Sequence, residues 1–167
     1  MKTLNYETVQ TPIGKVLIAI DGGKLCALDF EDFEQRMHKL LAKHYGEFEL
    51  VPARTKCGIA GCIHAYFAGD LSALDAIEVA TGGTEFQQQC WHALRTIAPG
   101  ATASYGEQAR RIGRPKAVRA VGMTNGLNPV AIVLPCHRVV GADGKLTGYA
   151  GGLWRKEWLL RHEGALQ

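Results

Sequence analysis

Hydrophobic and polar positions follow different patterns in the two halves of this 167-residue chain. In the first thirty residues, short apolar runs are separated by turn signals such as Asp-Gly-Gly at 21–23, which predicts strands joined by tight turns. From 33 to 45, and again from 59 to 67, apolar residues recur at the spacing of an amphipathic helix. We therefore expect the amino-terminal half to combine short strands with two helices.

In the second half, signals for helix starts and helix stops follow one another closely. Thr84 and Ser104 are each followed three residues later by Gln or Glu, the spacing of a capping box at the start of a helix. Gly113 is expected to end the second of these helices, and Pro115 suits the first turn of a third helix that ends at Gly126. Two short helices joined by a glycine turn are typical of a helix-turn-helix.

The change between the two patterns lies in the connector 76–83. We therefore predict two domains, a supporting domain in residues 1–80 and a second domain in residues 84–167. The predicted fold class is α/β (α+β), with a small amino-terminal strand-and-helix domain and a helical carboxy-terminal domain. The second domain would hold both the helix-turn-helix and a buried cysteine site.

Composition indicates a globular protein, since 47% of the residues are hydrophobic and 21% are charged. The formal net charge of +3 does not by itself indicate a nucleic-acid partner, but residues 110–119 contain five cations and no acid. This local basic patch favours a DNA-binding role for the helix-turn-helix, a pattern that otherwise more often marks a packed helical corner. The five cations are Arg110, Arg111, Arg114, Lys116 and Arg119.

The cysteines indicate a reduced compartment. Their number is odd, their spacing is irregular, and the amino terminus has no apolar signal core. No apolar run approaches the length that crosses a membrane, so we expect a cytoplasmic protein with free thiols and no membrane contact. The cysteines are Cys26, Cys57, Cys62, Cys90 and Cys136.

Cys57, Cys62 and His64 lie close together in the sequence and form the one group that resembles a zinc site. The two cysteines are five residues apart, which suits shared ligation on a helix poorly, and no convincing fourth ligand accompanies them. Packing on an apolar helix face explains these residues better. We therefore predict no metal.

The stretch NPVAIVLPCHRVVGADG, residues 128–144, places a thiol and an imidazole inside what otherwise looks like a buried strand. A cysteine with a pKa near ~8.5 is only a few per cent thiolate at neutral pH, so a nucleophile needs a base nearby. Neighbours on an extended chain point to opposite faces, so Cys136 and His137 cooperate only through a kink, which Pro135 favours, or through a water. From the residues alone, a buried core cysteine is favoured over a nucleophile. Carboxylates that could orient the histidine are Asp143, Glu157 and Glu163.

A family resemblance changes this balance. Pro-Cys-His-Arg-Val at 135–139 resembles the active-site motif of the O6-alkylguanine-DNA alkyltransferases, also called methylated-DNA–protein-cysteine methyltransferases. The similarity runs densely from Thr84 to Gly164 through RAVG, NP and GYAGG, and more loosely into the amino-terminal half through TPIGKVLIA and YFAGDL. These motifs at these spacings are specific, and they correspond to the single-chain form without a phosphotriester-accepting domain.

The resemblance implies irreversible, stoichiometric transfer of the alkyl group from O6-alkylguanine in DNA, and from O4-alkylthymine, to Cys136. His137 would act through a water as the base that draws off the thiol proton. Glu163 matches the carboxylate that orients this histidine, with Glu157 as the alternative. Asn128 would form the turn that ties the recognition helix to the active-site strand. No cofactor is implied, because the cysteine is itself the acceptor.

The resemblance also implies double-stranded DNA as partner, bound from the minor groove with the alkylated base flipped out of the stack. Arg119 matches the finger residue that fills the vacated space, and Tyr105 matches the tyrosine that helps to rotate the nucleotide. Tyr149 would contact the flipped guanine. Further candidates for substrate or DNA contacts are Arg114, Lys116 and Val139. The protein is expected to be a monomer, with cooperative binding along DNA left open.

Three other classes of protein compete with this interpretation. A non-enzymatic alkyltransferase-like protein flags lesions but lacks the acceptor cysteine, which is present here as Cys136. A cysteine-dependent hydrolase or acyltransferase would not explain Arg119 and the basic helix. A plain DNA-binding regulator would leave the cysteine, histidine and glutamate without a purpose.

Overall fold

The computed structural model describes residues 1–54 and 58–167, and the chain divides into two compact units. Unit 1 comprises Met1–Gly82 and Pro129–Val133, and unit 2 comprises Gly83–Asn128 and Leu134–Gln167. Unit 1 is built around a β-sheet and unit 2 consists mainly of helices, in agreement with the predicted α/β fold class.

Unit 1 is built on a four-stranded sheet in the order β3-β2-β1-β4. Neighbours β1–β2 and β2–β3 are antiparallel, and β4 lies parallel to β1. Gly22 and Gly23 join β2 to β3 with φ values of +56° and +84°, as a tight two-residue hairpin requires. The strands are β1 (Lys2–Thr11), β2 (Gly14–Asp21), β3 (Lys24–Phe30) and β4 (Phe48–Pro52).

The two helices that apolar spacing predicts for the amino-terminal half are confirmed in unit 1. Helix α1 spans Glu34–Tyr45 after a short 3-10 turn at Glu31–Phe33, and helix α2 spans Gly58–Phe67. Met37 and Leu41, one turn apart on α1, pack on the sheet. The same core cluster contains Leu4, Leu17, Ala19, Cys26 and Ala27.

Unit 2 contains four helices and a two-stranded parallel sheet. The capping box at Thr84 is confirmed in both directions, since Thr84 Oγ1 accepts from the Gln87 amide at 3.1 Å and Gln87 Oε1 accepts from the Thr84 amide at 3.0 Å. Ser104 caps the next helix by accepting from the Glu107 amide at 3.1 Å. The elements are α3 (Glu85–Leu94), β5 (Ala103–Ser104), α4 (Tyr105–Arg111), α5 (Val118–Gly126), β6 (Val139–Val140) and α6 (Leu153–His162).

The predicted start of the third helix at Pro115 is wrong, because α5 begins only at Val118. The Ala117 amide donates to Arg114 O at 2.9 Å, so Pro115 lies inside a tight turn. Its fixed φ suits the second position of such a turn as well as it suits the first turn of a helix. The glycine stop of α4 is confirmed, since Gly113 has a φ of +74°.

The expectation of a buried strand before the cysteine is also wrong. Val130 forms an isolated bridge with Leu28 rather than part of a strand, and the chain then turns. The Val133 amide donates to Ala131 O at 2.8 Å around Ile132, whose φ of +73° lies in the left-handed region. That conformation is costly for a β-branched residue and is sustained here by full burial of the side chain.

Pro135 produces the kink that the sequence favours. It has φ −82° and ψ 65°, and the Cys136 amide donates across it to Leu134 O at 2.8 Å, the arrangement of an inverse γ-turn. One turn of 3-10 helix, Cys136–Arg138, follows directly and leads into β6. The thiol therefore lies on a tight local turn of unit 2 rather than on an extended strand.

Candidate active site

Cys136 is almost completely buried, with 9% of its surface exposed. The side-chain amide of Asn128 donates to Leu134 O at 2.7 Å, and the same nitrogen lies 3.3 Å from Cys136 Sγ. The Leu134 carbonyl can only accept, so the group that Asn128 turns toward it must be the NH₂ group and not the amide oxygen. One hydrogen of this NH₂ group goes to Leu134 O, and the other is available to Cys136 Sγ. Asn128 thus both holds the turn before the cysteine and supplies a donor that favours negative charge on Cys136.

His137 and Glu163 form a hydrogen bond in the interior of unit 2, with 2.9 Å between Nε2 and Oε2. Both side chains are fully buried. Burial lowers the pKa of His137 because the charged imidazolium is poorly solvated there, although Glu163 opposes this shift. The ring is therefore neutral at neutral pH and able to accept a proton.

Arg138 holds the same carboxylate in two places. Its Nε donates to Glu163 Oε1 and its Nη2 to Glu163 Oε2, each at 2.9 Å, while Nη1 donates to Ile97 O at 2.6 Å. Burial alone would raise the pKa of Glu163, but the hydrogen bonds from Arg138 and His137 hold it well below its ordinary value. Glu163 is therefore a carboxylate, and it can only accept from His137.

The tautomer of His137 follows from this arrangement. Since Glu163 accepts, Nε2 carries the ring proton and Nδ1 carries the lone pair. Nδ1 is buried and has no hydrogen-bond partner within residues 1–54 and 58–167. The chain thus presents a buried, neutral imidazole nitrogen one residue away from a thiol, the chemistry of a general base for Cys136.

Lys156 is a fully buried residue that none of the sequence motifs assigned to the site. Its Nζ donates to Val139 O at 2.6 Å, to Thr147 O at 2.9 Å and to Gly148 O at 3.3 Å. Burial lowers the pKa of Lys156 to about 8, and the Cys136 charge acts in the opposite direction. Lys156 joins β6 to the loop that carries Tyr149.

Helical periodicity contains the signal that identifies Lys156. Leu159, Leu160 and Glu163 follow it at intervals of three, four and seven residues, so all four lie on the buried face of α6 and its last turn. A lysine on such an apolar face is rarely buried without partners. Arg138 gave a weaker signal, because nothing local distinguishes it from an exposed arginine.

The other carboxylate alternatives lie elsewhere. Glu157 is exposed on α6, where its Oε1 accepts from Arg161 at 2.8 Å. Asp143 is exposed and pairs with the Lys145 amide at 3.0 Å. Only Glu163, of the three acids that the sequence left open, contacts His137 among the described residues.

The proposed DNA-contact residues lie on or beside the two helices α4 and α5. Arg114, Lys116 and Arg119 are all exposed. Tyr105, at the start of α4, shares a hydrogen bond of 3.0 Å between its hydroxyl and Thr147 Oγ1. A Cβ on Gly122 of α5 would lie 3.8 Å from the Tyr105 ring, an ordinary van der Waals contact, so the space between the two helices at this point would also admit an alanine.

Tyr149 and Val139 occupy less open positions. Tyr149 is half-buried in the loop between β6 and α6. The Val139 side chain is fully buried, and its carbonyl oxygen accepts from Lys156. Any contact of Val139 with a substrate must therefore use its backbone.

The metal and membrane expectations concern other parts of the chain. Cys57 lies outside the described residues, while Cys62 and His64 lie on α2. In the described ranges, no group of three or more His, Cys, Asp or Glu side chains could hold a metal ion. Within the same part of the chain, no helix combines the length and apolar character that membrane crossing needs.

Comparison with known proteins gives consistent matches over the chain. The family model described as 6-O-methylguanine DNA methyltransferase, DNA binding domain, matches residues 85–165. The methylated-DNA–protein-cysteine methyltransferase of Salmonella typhimurium is 48% identical over 169 residues, covering 99% of each chain. The protein of the same name from Methanosarcina acetivorans is 44% identical over 160 residues, covering 96% of this chain and 98% of its own.

Solved structures give the same result. The crystal structure of Mycobacterium tuberculosis OGT in complex with DNA superposes with a TM-score of 0.80 at 42% identity, covering 96% of this chain and 93% of that chain. The O6-methylguanine-DNA methyltransferase of the hyperthermophilic archaeon Pyrococcus kodakaraensis superposes with a TM-score of 0.73 at 28% identity, covering 96% and 99%.

Proposed function

This chain belongs to the 6-O-methylguanine DNA methyltransferase family, the methylated-DNA–protein-cysteine methyltransferases, and we infer from this that it binds DNA and reverses alkylation damage directly. It transfers the alkyl group from O6-alkylguanine in DNA, irreversibly, to a cysteine of its own. Each molecule acts once, because a thioether is a poor leaving group. O4-alkylthymine is the second lesion that we propose for the same site.

We assign the acceptor to Cys136, and the observation that supports this is the buried hydrogen bond between Glu163 and His137, the residue that directly follows Cys136 in the chain. The thiol proton passes through a water to His137 Nδ1, and the carboxylate of Glu163 stabilises the imidazolium. Sulfur then attacks the alkyl carbon as the bond from this carbon to O6 breaks. The electron pair remains with guanine, which takes up one proton and is restored.

We propose distinct roles for the residues around this chemistry. Asn128 donates to the sulfur as negative charge develops, within 3.3 Å in the resting protein. Lys156 and the Val139 carbonyl hold the wall of the site on which the base lies. Tyr149, in the loop that Lys156 holds, contacts the flipped guanine.

The substrate base lies within a duplex stack, so the protein must extrude it at a cost of a few kcal/mol. We propose that α5 enters the minor groove, with Arg119 taking the place of the flipped base and Tyr105 helping to rotate the nucleotide. Exposure of Arg119 on a helix that carries Ala120 and Gly122 supports this assignment, since small residues permit a close approach to the groove. Arg114 and Lys116 would contact phosphates.

We further propose a cytoplasmic protein that acts as a monomer. The acceptor must remain a reduced thiol, which suits a reducing compartment. A single alkyl transfer to a cysteine of the same chain requires no second subunit.

Intact mass after incubation with duplex DNA that carries one O6-methylguanine tests the proposal. The expected result is one added methyl per protein, saturating at one, with peptide mapping to Cys136. The Cys136→Ala variant should still bind the duplex but gain no mass. An unmodified wild-type protein that binds the lesion tightly would instead indicate an alkyltransferase-like lesion sensor, and a methyl on another cysteine would refute the assignment of the site.

A further inference from the structure

The recognition helix α5 exposes large apolar side chains to an unusual degree. Seven large hydrophobic residues are exposed among the described residues, and three lie in the ten-residue stretch 118–127. Met123 is the most exposed of these three, at 69%, against 40% for Val118 and 41% for Leu127. Exposed apolar residues concentrated on one short helix and the residue that follows it indicate a surface that a partner covers.

Met123 lies on the same face of the helix as Arg119. The two residues are four positions apart, and both are exposed, whereas Val121, Thr124 and Asn125 form the buried face. Gly126, the next residue on the exposed face, has open space around its Cα. Met123 and Arg119 therefore project from this face beside a residue that has no side chain.

The charge around this face matches one class of partner. The five cations at 110–119 are all exposed, and they flank or precede the exposed face of α5. An apolar surface with few bulky side chains and with cations at its border is complementary to a DNA groove, where sugar edges are apolar and phosphates form the rim. A protein partner would not require this density of positive charge.

Helix geometry sets the separation of Arg119 and Met123 along the helix axis. Residues four apart are separated by about 6 Å along the helix axis, which compares with roughly two base-pair steps of about 3.4 Å. A helix that places Arg119 at the vacated position therefore brings Met123 to sugars and base edges of a neighbouring pair. Methionine is flexible and apolar, so it can pack there without reading the sequence.

We propose that Met123 is a second DNA-contact residue of α5, an apolar wedge that packs in the minor groove beside the lesion and helps to hold the duplex open. This inference rests on the proposed function and adds a residue that neither the family motifs nor the basic patch identify. Because the contact is apolar, it contributes to affinity without releasing counterions. It is expected to act on damaged and undamaged duplex alike.

The test compares Met123→Ala, Met123→Leu and wild type, with Val51→Ala as a matched control at another exposed apolar residue. Affinity for an undamaged duplex is measured by fluorescence anisotropy at several salt concentrations. Met123→Ala should bind about tenfold more weakly with an unchanged slope of log K against log salt. Met123→Leu and Val51→Ala should bind within about twofold of wild type, and Lys116→Ala should instead reduce the slope.

Two results would overturn the inference. Wild-type affinity in Met123→Ala would show that the residue makes no contact, and a changed salt slope would show that the loss is electrostatic. Alkyl transfer is measured in parallel by intact mass at saturating damaged duplex. Failure of wild type to gain a methyl would refute the proposed function, whereas normal methylation with unaltered binding in Met123→Ala would refute only the wedge.

Discussion

His137 and Glu163 are 26 residues apart in sequence yet share a buried hydrogen bond of 2.9 Å, and this contact decides which ring nitrogen is the base. Both oxygens of the carboxylate also accept from Arg138, so Glu163 cannot act as a donor. Nε2 must therefore carry the proton, and Nδ1 is available for the thiol proton of Cys136. The Glu163 carboxylate thus selects the basic nitrogen, and the hydrogen bonds from Arg138 keep that carboxylate charged.

Replacing Glu163 with glutamine tests this relationship. Glu163→Gln leaves Arg138 with a buried charge that has lost its counter-ion, so we expect the free energy of unfolding to fall by about 3–5 kcal/mol. The amide can also donate to His137, which stabilises the wrong tautomer, so alkyl transfer should slow by about 100-fold or more. Urea unfolding and single-turnover mass spectrometry measure the two effects.

The matched control for Glu163→Gln is Glu157→Gln on the same helix. Glu157 is exposed and pairs with Arg161 across one helical turn, a contact worth about 0.5 kcal/mol or less. Stability and alkyl transfer should therefore stay at wild-type values. Transfer that is unimpaired in folded Glu163→Gln would contradict the proposed role of the carboxylate.

The stability of the protein should depend on pH in a direction that the buried groups determine. Burial lowers the pKa of His137 in the folded state below its ordinary 6.5, so the unfolded chain takes up a proton first as the pH falls. The contribution of His137 is complete above about pH 6.5 and is lost as the pH falls below that value. Glu163, whose folded pKa is also depressed, acts in the same direction below its ordinary value of 4.5.

Urea midpoints measured from pH 5 to 8 check this dependence. The midpoint should be flat near pH 7 and should fall below about pH 6.5. His44, whose pKa is also lowered by burial, contributes in the same sense, so the comparison of variants isolates His137. His137→Gln should reduce the slope between pH 5 and 6.5, and exposed His38→Gln should retain it; equal slopes in all three proteins would refute the prediction.

Removing the Asn128 amide should slow the chemistry more than it weakens binding. Asn128→Ala loses the donor to Leu134 O and the donor to Cys136 Sγ, so negative charge on sulfur is less well stabilised. We expect alkyl transfer at saturating DNA to slow by about 10- to 100-fold, a loss of about 1.4–2.7 kcal/mol in the transition state. Quenched single-turnover assays separate this rate from DNA affinity.

Asn5→Ala, at an exposed position on β1, is the control for Asn128→Ala. It should leave both rate and affinity unchanged. If Asn128→Ala lost affinity in proportion to rate, the amide would position the duplex rather than the thiol.

Lys156 should control the order of the loop that carries Tyr149. Lys156→Ala leaves the carbonyls of Val139, Thr147 and Gly148 without their shared donor, and the buried Val139 oxygen alone costs about 1–3 kcal/mol when it is left unsatisfied. We expect faster amide hydrogen exchange across 147–152 and at least tenfold slower alkyl transfer. Lys145→Ala, at an exposed residue of the preceding loop, should change neither quantity.

The sequence by itself determined the local features of this protein. Apolar spacing located α1 and α2, the Thr84–Gln87 pair marked the start of α3, and Gly113 marked the end of α4. Each of these signals affects only residues that are close to it in sequence. It does so through hydrogen bonds between side chain and backbone, or through the φ values that a residue can adopt. The Pro-Cys-His-Arg-Val motif likewise identified the family to which the chain belongs.

Only the tertiary structure decided the rest. From the residues alone, three late acids were available as partners of His137; the family resemblance favoured Glu163, and folding brings its carboxylate to the ring. The turn at Ile132 contradicts the local strand preference of its apolar run, because burial of the side chain offsets the backbone cost. Arg138 and Lys156 are buried charged residues whose positions depend on acceptors far away in the sequence, and periodicity alone does not supply those acceptors.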